Sequence, residues 1–176
     1  MEAKKVNFDL RSLRNYGNMK LHYKDNTSGN SWQTWKNFDE CTKEEIDHAN
    51  LRSILPREIV LDLEDPDELD RVKYMLKAYK LNYYIWSTGS KGYHINLFYN
   101  DLDKFDREVR KEIRKAIIKR FRTDETKSSE KGLLAVENKP HFKTGRTKVL
   151  METKEGWNKL DMELVNNILL RVEKSI

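Results

Sequence analysis

The segment Ile59-Val60-Leu61-Asp62-Leu63-Glu64 limits the possible fold more than any other stretch of the chain. Successive side chains of a strand point to opposite faces, so Ile59, Leu61 and Leu63 share one face and Val60, Asp62 and Glu64 the other. One face joins a core, and the other carries two carboxylates with Cα atoms about 6.6 Å apart. Asp65-Pro66-Asp67-Glu68 follows at once and reads as a helix start. Asp65 can cap it, Pro66 suits the first helical position and Glu68 completes a variant capping box. Leu69, Val72, Leu76 and Tyr79 then mark the buried stripe of that helix.

Beyond it, Tyr83-Tyr84-Ile85-Trp86-Ser87 predicts a second strand and the run from Tyr93 to Tyr99 a third, with His94, Asn96 and Phe98 on one face. Between Asp103 and Arg122, Phe105, Val109, Ile113, Ile117 and Phe121 recur every four residues, which predicts a long amphipathic helix. Arg107, Arg110 and Arg114 stand on its basic face as candidate contacts to a nucleic-acid backbone, or as an ordinary solvated surface. Residues 123–131 read as a polar loop and Gly132–Glu137 as a further strand. Lys143–Arg146 read as a turn into a strand over Lys148–Glu152, and a helix carrying Leu160, Leu164, Val165, Ile168 and Val172 closes the chain. The order strand, helix, strand, strand, helix, strand over Ile59–Glu137 fits a split β-α-β pattern with an antiparallel sheet. The first fifty residues are harder to place, because Asn26–Ser31 interrupts short apolar pieces that Trp32, Trp35 and Phe38 would anchor.

A chain of 176 residues is large enough for one domain with a real core. Its 34 Lys and Arg against 29 Asp and Glu give a net charge of +5, which favours a polyanionic partner. Cys41 is the one cysteine, excluding an internal disulfide and a cysteine-rich zinc site and fitting a reducing cytoplasm. No apolar run approaches the ~20 residues that span a bilayer, so a soluble chain with no membrane partner is expected.

Three groups can carry chemistry. Asp62 and Glu64 can converge on hard cations such as Mg²⁺ or Mn²⁺, or simply serve as a solvated, capping pair. In Ser87–His94, two glycines and hydroxylated residues form a loop whose backbone N–H groups can face a phosphate. Ser90, Lys91 and Gly92 lie at its centre, and His94 stands at its mouth as a donor. A glycine-containing hairpin with an incidental histidine is the plainer reading. His141, Lys143 and Arg146 fall in a compact basic turn, which beside a metal site would grip a triphosphate or a template backbone.

Together these motifs, VLDLE, STGSKGYH and HFKTGR, resemble the archaeo-eukaryotic primase superfamily over roughly Ile59 to Gly156. The resemblance implies an α+β primase fold: an RRM-like antiparallel sheet packed against helices, with a small N-terminal lobe. It implies one catalytic domain over 1–176, divided into an N-terminal lobe (1–58), a catalytic core (59–156) and a C-terminal helix (157–176). It further implies a DNA primase-polymerase, a nucleotidyltransferase using two Mg²⁺ or Mn²⁺ ions. Its partners would be a single-stranded DNA template, a primer and an NTP or dNTP, with a primase large subunit or a helicase as further candidates. Asp62 and Glu64 would hold the metals, and the Ser90–Lys91 loop and His94 the nucleotide's phosphates. A third carboxylate is required, and Glu137, ending an apolar strand, is the expected one; Asp124 and Glu130 fall in the polar loop.

Two other readings stay open from the residues. A noncatalytic primase-fold subunit would bind nucleic acid or a partner without making bonds. An RRM-like module would stack bases on Tyr83, Tyr84, Tyr93 or Phe98, which leaves the two carboxylates unexplained.

Overall fold

The computed structural model describes residues 5–24 and 35–174, so Trp32 and the Asn26–Ser31 break lie outside the described residues. In chain order the elements are α1 (Leu10–Leu13), β1 (Lys20–His22), β2 (Lys36–Asn37), α2 (Lys43–His48), β3 (Leu51–Ser53) and β4 (Glu58–Leu63). There follow α3 (Leu69–Ala78), β5 (Tyr83–Ser87), β6 (Tyr93–Phe98), α4 (Arg107–Phe121), β7 (Leu133–Ala135), β8 (Val149–Lys154) and α5 (Met162–Lys174). They form an α+β structure with two sheets, a larger one ordered β4-β6-β5-β8 and a smaller one ordered β2-β1-β3-β7, and every described pairing within them is antiparallel.

The alternation in β4 sets the layers. Its Ile59, Leu61 and Leu63 are fully buried with Ile85 and Ile95 of the neighbouring strands, against Val72 and Leu76 of α3, Ile113 and Ile117 of α4 and Val165 of α5. Each such aliphatic side chain contributes roughly 1.5–3 kcal/mol when withdrawn from water. The helix starts follow local chemistry: Asp65 accepts from Asp67 N ahead of α3, Asp106 accepts from Val109 N at α4, and Thr42 with Glu45 forms a capping box at α2. Tyr79, expected in the buried stripe, falls at the C-cap of α3 and is 47% exposed.

The opposite face of the larger sheet is covered in two ways. Phe8 makes edge contacts with Tyr84, Trp86 and Phe98 at 5.0, 4.9 and 5.8 Å between ring centroids, sealing one part with the N-terminal segment. The smaller sheet covers the next part. Leu133–Ala135, expected as the fourth strand of the core, pairs instead with β3, and β8 fills the fourth place in the larger sheet beside β5.

Between the sheets lies a buried ion cluster. Arg52 of β3 donates to Glu58 of β4 through both terminal nitrogens, at 2.8 Å each, and to Glu137 at 2.6 and 3.0 Å. Asn96 and the Leu55 N–H donate to Glu58 at 2.6 and 3.1 Å, while Lys148 donates to the Ala135 carbonyl at 2.9 Å and approaches Glu137 at 3.4 Å. The side chains of Arg52, Glu58, Glu137 and Lys148 are all without solvent exposure. Two cations thus face two anions in a sealed space.

Burial alone would raise the Glu137 carboxyl, but Arg52 and Lys148 outweigh it and hold it down to about 2. A carboxylate depressed in the fold contributes stability that is present above its ordinary pKa and lost as pH falls toward the folded value. Glu137→Gln, which strands Arg52 and Lys148 with one acid, should lower unfolding free energy in urea by about 3 kcal/mol at pH 7. It should also flatten the decline in stability between pH 4.5 and about 2. Unchanged stability at pH 7 would contradict the paired geometry.

Candidate active site

Past the ion cluster, the same face of β4 and β6 runs out from under the smaller sheet and borders a cavity of about 490 Å³. Asp62 projects there from β4 and Glu64 from the residue just past its end, the two positions that alternation requires. Asp124 joins them from the segment after α4, and one carboxylate oxygen from each of the three lies within 4.8 Å of the others. Asp124 also accepts from Thr126 N, so a capped turn over Glu125–Ser128 fixes its place. Burial raises the Asp62 pKa, with Lys127 opposing the shift and Asp124 and Glu64 adding to it. Clustered anionic oxygens with no thiolate among them fit a hard divalent cation, which would relieve that repulsion.

Glu137 is not part of this group. Both its oxygens are spent on Arg52, one shared with Lys148, and its side chain is without solvent exposure, so the expected third ligand is a structural ion-pair partner. Asp124, set aside in the sequence as part of a polar loop, is the acid that meets Asp62 and Glu64. The signal that could have found it is the Asp-x-Thr spacing of a capped turn, the same device that Asp65 uses before α3.

His94 stands opposite Asp62 on β6, with Nε2 3.5 Å from Oδ1. Burial, followed by the charges of Lys148, Lys127, Arg52 and His141, pushes its pKa well below the ordinary value, so the ring is neutral at pH 7. Its Nδ1 is buried without a protein partner among the described residues. A neutral imidazole here offers one donor and one acceptor beside the acids.

The loop after β5 is built to lie close to two neighbours. Gly92 has φ +77°, and a Cβ there would fall 1.7 Å from the Leu63 carbonyl; at Gly89, φ +79°, it would fall 2.4 Å from the Arg146 carbonyl. The Thr88 hydroxyl donates to the Lys91 carbonyl and accepts from Ser90 N, and Thr144 donates to the Gly89 carbonyl. The Ser90 N–H is therefore used within the loop, while the side chains of Ser90 and Lys91 line the cavity.

Across the cavity, His141 and Lys143 line it from the turn that closes with His141 N and Gly145 N donating to the Arg146 and His141 carbonyls. Lys143 N donates to His141 Nδ1 at 3.1 Å, which leaves the proton on Nε2. Arg146 contributes its main chain to the turn and is not among the lining residues. Lys24 and Lys127, which the sequence did not single out, complete the cationic wall around the acids. Such a hollow can hold a polyphosphate whose oxygens meet both a cation on the acids and N–H donors opposite.

The three arginines of α4 expected as backbone contacts, Arg107, Arg110 and Arg114, divide. Arg114 is completely buried, donating to the Glu58, Leu55 and Pro56 carbonyls and to Glu130, which excludes the expected backbone contact. Arg110 is tied to Glu130 and the Phe105 carbonyl. Arg107 remains exposed.

No family model matches the chain, and no curated protein matches it by sequence. Solved structures do share its fold, among them these three. The primase RepB' aligns with TM-score 0.63 at 14% identity over 98% of this chain and 64% of its own, so the chain spans about two thirds of that protein. The catalytic domain of RepB' in complex with initiator DNA aligns with TM-score 0.65 at 12% identity over 96% and 97% of the two chains. The AEP domain of the primase-polymerase of cyanophage S-2L gives 0.60 at 13% over 88% of each. The chain has the fold of archaeo-eukaryotic primase domains.

The close approach at Gly92 can be tested against Gly145, where φ is +71° but nothing lies within 4 Å of an added Cβ. Gly145→Ala should cost about 1 kcal/mol, from backbone strain alone. Gly92→Ala must also displace β4 and should cost more than ~2 kcal/mol in urea denaturation. Equal losses would contradict the contact.

Proposed function

We propose that this chain is a template-directed nucleotidyltransferase of the primase-polymerase kind, extending or making a primer on single-stranded DNA. The observation that carries the reading is the convergence of Asp62, Glu64 and Asp124, the first two lining a cavity whose other walls present His94, Lys91, His141 and Lys143. The likeness to primase catalytic domains, one of them in complex with initiator DNA, supports the same reading.

In this scheme Asp62, Glu64 and Asp124 would hold two divalent ions, Mg²⁺ or Mn²⁺, which when bound would supply charge neutralisation on the triphosphate and a lowered pKa for the attacking 3′-hydroxyl. The remaining work belongs to the chain's own groups. Lys91 and Lys143, with the His141 Nε2–H, grip the phosphate oxygens and orient the leaving pyrophosphate. His94, neutral on the cavity wall beside Asp62, donates a hydrogen bond without adding a charge that would compete with the cations. Lys127 opposes the rise in the Asp62 pKa that burial and the neighbouring acids cause. Catalysis here is positioning and charge stabilisation.

The test is incorporation of labelled nucleotides on a single-stranded DNA template in Mg²⁺ or Mn²⁺, with and without a primer. Asp62→Asn, Glu64→Gln and Asp124→Asn should each lower the rate by about a hundredfold or more while leaving the fold intact. Chelation should abolish it. Folded wild-type protein that makes no product with either metal would leave a nucleic-acid-binding subunit as the better reading. Full activity in Asp124→Asn would remove Asp124 from the site.

A further inference from the structure

The strand pairings of the smaller sheet place its side chains on two faces. Leu21, Arg52 and Leu134 point toward the larger sheet. Lys20 with Asn37, and His22 with Leu51 and Ala135, are cross-strand partners on the other face, together with Ser53 and Leu133. This outer face borders two hollows. Leu51, Leu133 and Ala135 line the cavity of the acid cluster, while Lys20, Asn37 and Ser53 line a second one of about 500 Å³ next to the N-terminal end of α4. His22, between them, lies against Trp35 with ring centroids 5.2 Å apart, and Trp35 itself lines the second hollow.

Among the described residues, the second hollow has four cations, Lys20, Arg107, Arg110 and Lys131, and one acid, Glu130. Glu130 is already paired with Arg110 and Arg114 at 3.0 and 2.9 Å and has exposed Arg107 at 3.9 Å. The net field there is positive, and exposed Lys20, Arg107 and Lys131 supply it. Lys24 and Lys127 continue that charge into the first cavity. An aromatic platform on a sheet with a basic border is suited to unpaired bases, whose faces stack on the ring while the phosphates meet the cations. A duplex offers no free base faces to such a platform.

We infer that the outer face of the β2-β1-β3-β7 sheet is a track for single-stranded DNA, running from the acid cluster to the hollow at Trp35, where a base stacks. The choice of DNA, and the direction of the strand toward the acids, rest on the proposed function; the binding itself does not. Arg107 finds its role here as a phosphate contact, apart from its buried neighbours on α4.

The test is fluorescence anisotropy of a labelled twelve-nucleotide oligo(dT), in chelator and without nucleotides, so that neither metal nor catalysis enters. Trp35→Ala should weaken binding about tenfold and Trp35→Phe by no more than about threefold. Lys20→Ala with Arg107→Ala should lower the slope of log K against log salt by about 1.4, while Lys77→Ala on α3 leaves it unchanged. Trp35→Ala or the double variant within twofold of the wild type, tighter binding of a duplex, or tighter binding of oligo(U) would overturn the proposal. Binding that follows these expectations in a chain that incorporates no nucleotide would sink the proposed function and leave the track standing. Incorporation with binding indifferent to Trp35 would do the reverse.

Discussion

Arg52 is the side chain on which the two-sheet arrangement depends. It sits fully buried on β3 and donates to one acid from each direction, Glu58 on β4 and Glu137 just beyond β7. A guanidinium is hard to neutralise and offers five donors in a fixed plane, so it can join two carboxylates at once where a lysine would satisfy only one well. Removing four charges from water costs several kcal/mol for each ion, and a balanced, fully hydrogen-bonded cluster is what offsets that cost. The bonds also fix direction. An apolar interface of the same area would let the small sheet slide, whereas these constrain β3 against β4.

That constraint defines the candidate site. The larger sheet has one face closed by three helices, and the other is shared by the N-terminal segment, the ion cluster and the cavity. Asn96 belongs to the cluster and His94, two residues earlier on the same face, to the cavity, so the change from sealed to open takes place within one strand. Lys148 lies at the same boundary, its charge one of the causes that keep His94 neutral. Burial in turn pulls Lys148 down to about 8, with Glu137 resisting. The cations of the structural cluster thereby add to the effect that burial has on a group in the hollow.

Much of this was legible in the sequence. The alternation in Ile59–Glu64 gave both the core face and the paired acids, and the Asp65 cap and the period of α4 placed two helices. The glycines of Gly89–Gly92 marked a loop, read as one whose N–H groups could face a phosphate; its close approach to the Leu63 and Arg146 carbonyls is visible only in the structure. Glu137 and Asp124 were misjudged for a common physical reason. An acid ending an apolar strand reads the same whether it faces a cation or a buried guanidinium, and the guanidinium is 85 residues away in the chain. Conversely, a polar loop reads as mobile when its caps are not recognised, and Asp124 is held by such a cap. Leu133–Ala135 has the pattern of any short strand, and nothing local states which sheet it joins.

The arginines of α4 show how far charge counts can mislead at a surface. The helix reads as a basic stripe, yet Arg114 satisfies the carbonyls between β3 and β4, and Arg110 shares Glu130 with it. Arg114 thus holds α4 onto the β3–β4 connection, which is also the backbone beside Arg52, while Arg110 ties the start of the helix to Glu130. A basic helix face can be spent on the protein's own carbonyl groups, because a turn that leaves them unpaired in a buried place needs donors as much as a phosphate does. What remains for a polyanion is the charge those carbonyls and Glu130 do not take up. On this helix that includes exposed Lys119 and Arg120 and, at the end nearest the outer face of the small sheet, Arg107, whose Nε lies 3.9 Å from Glu130.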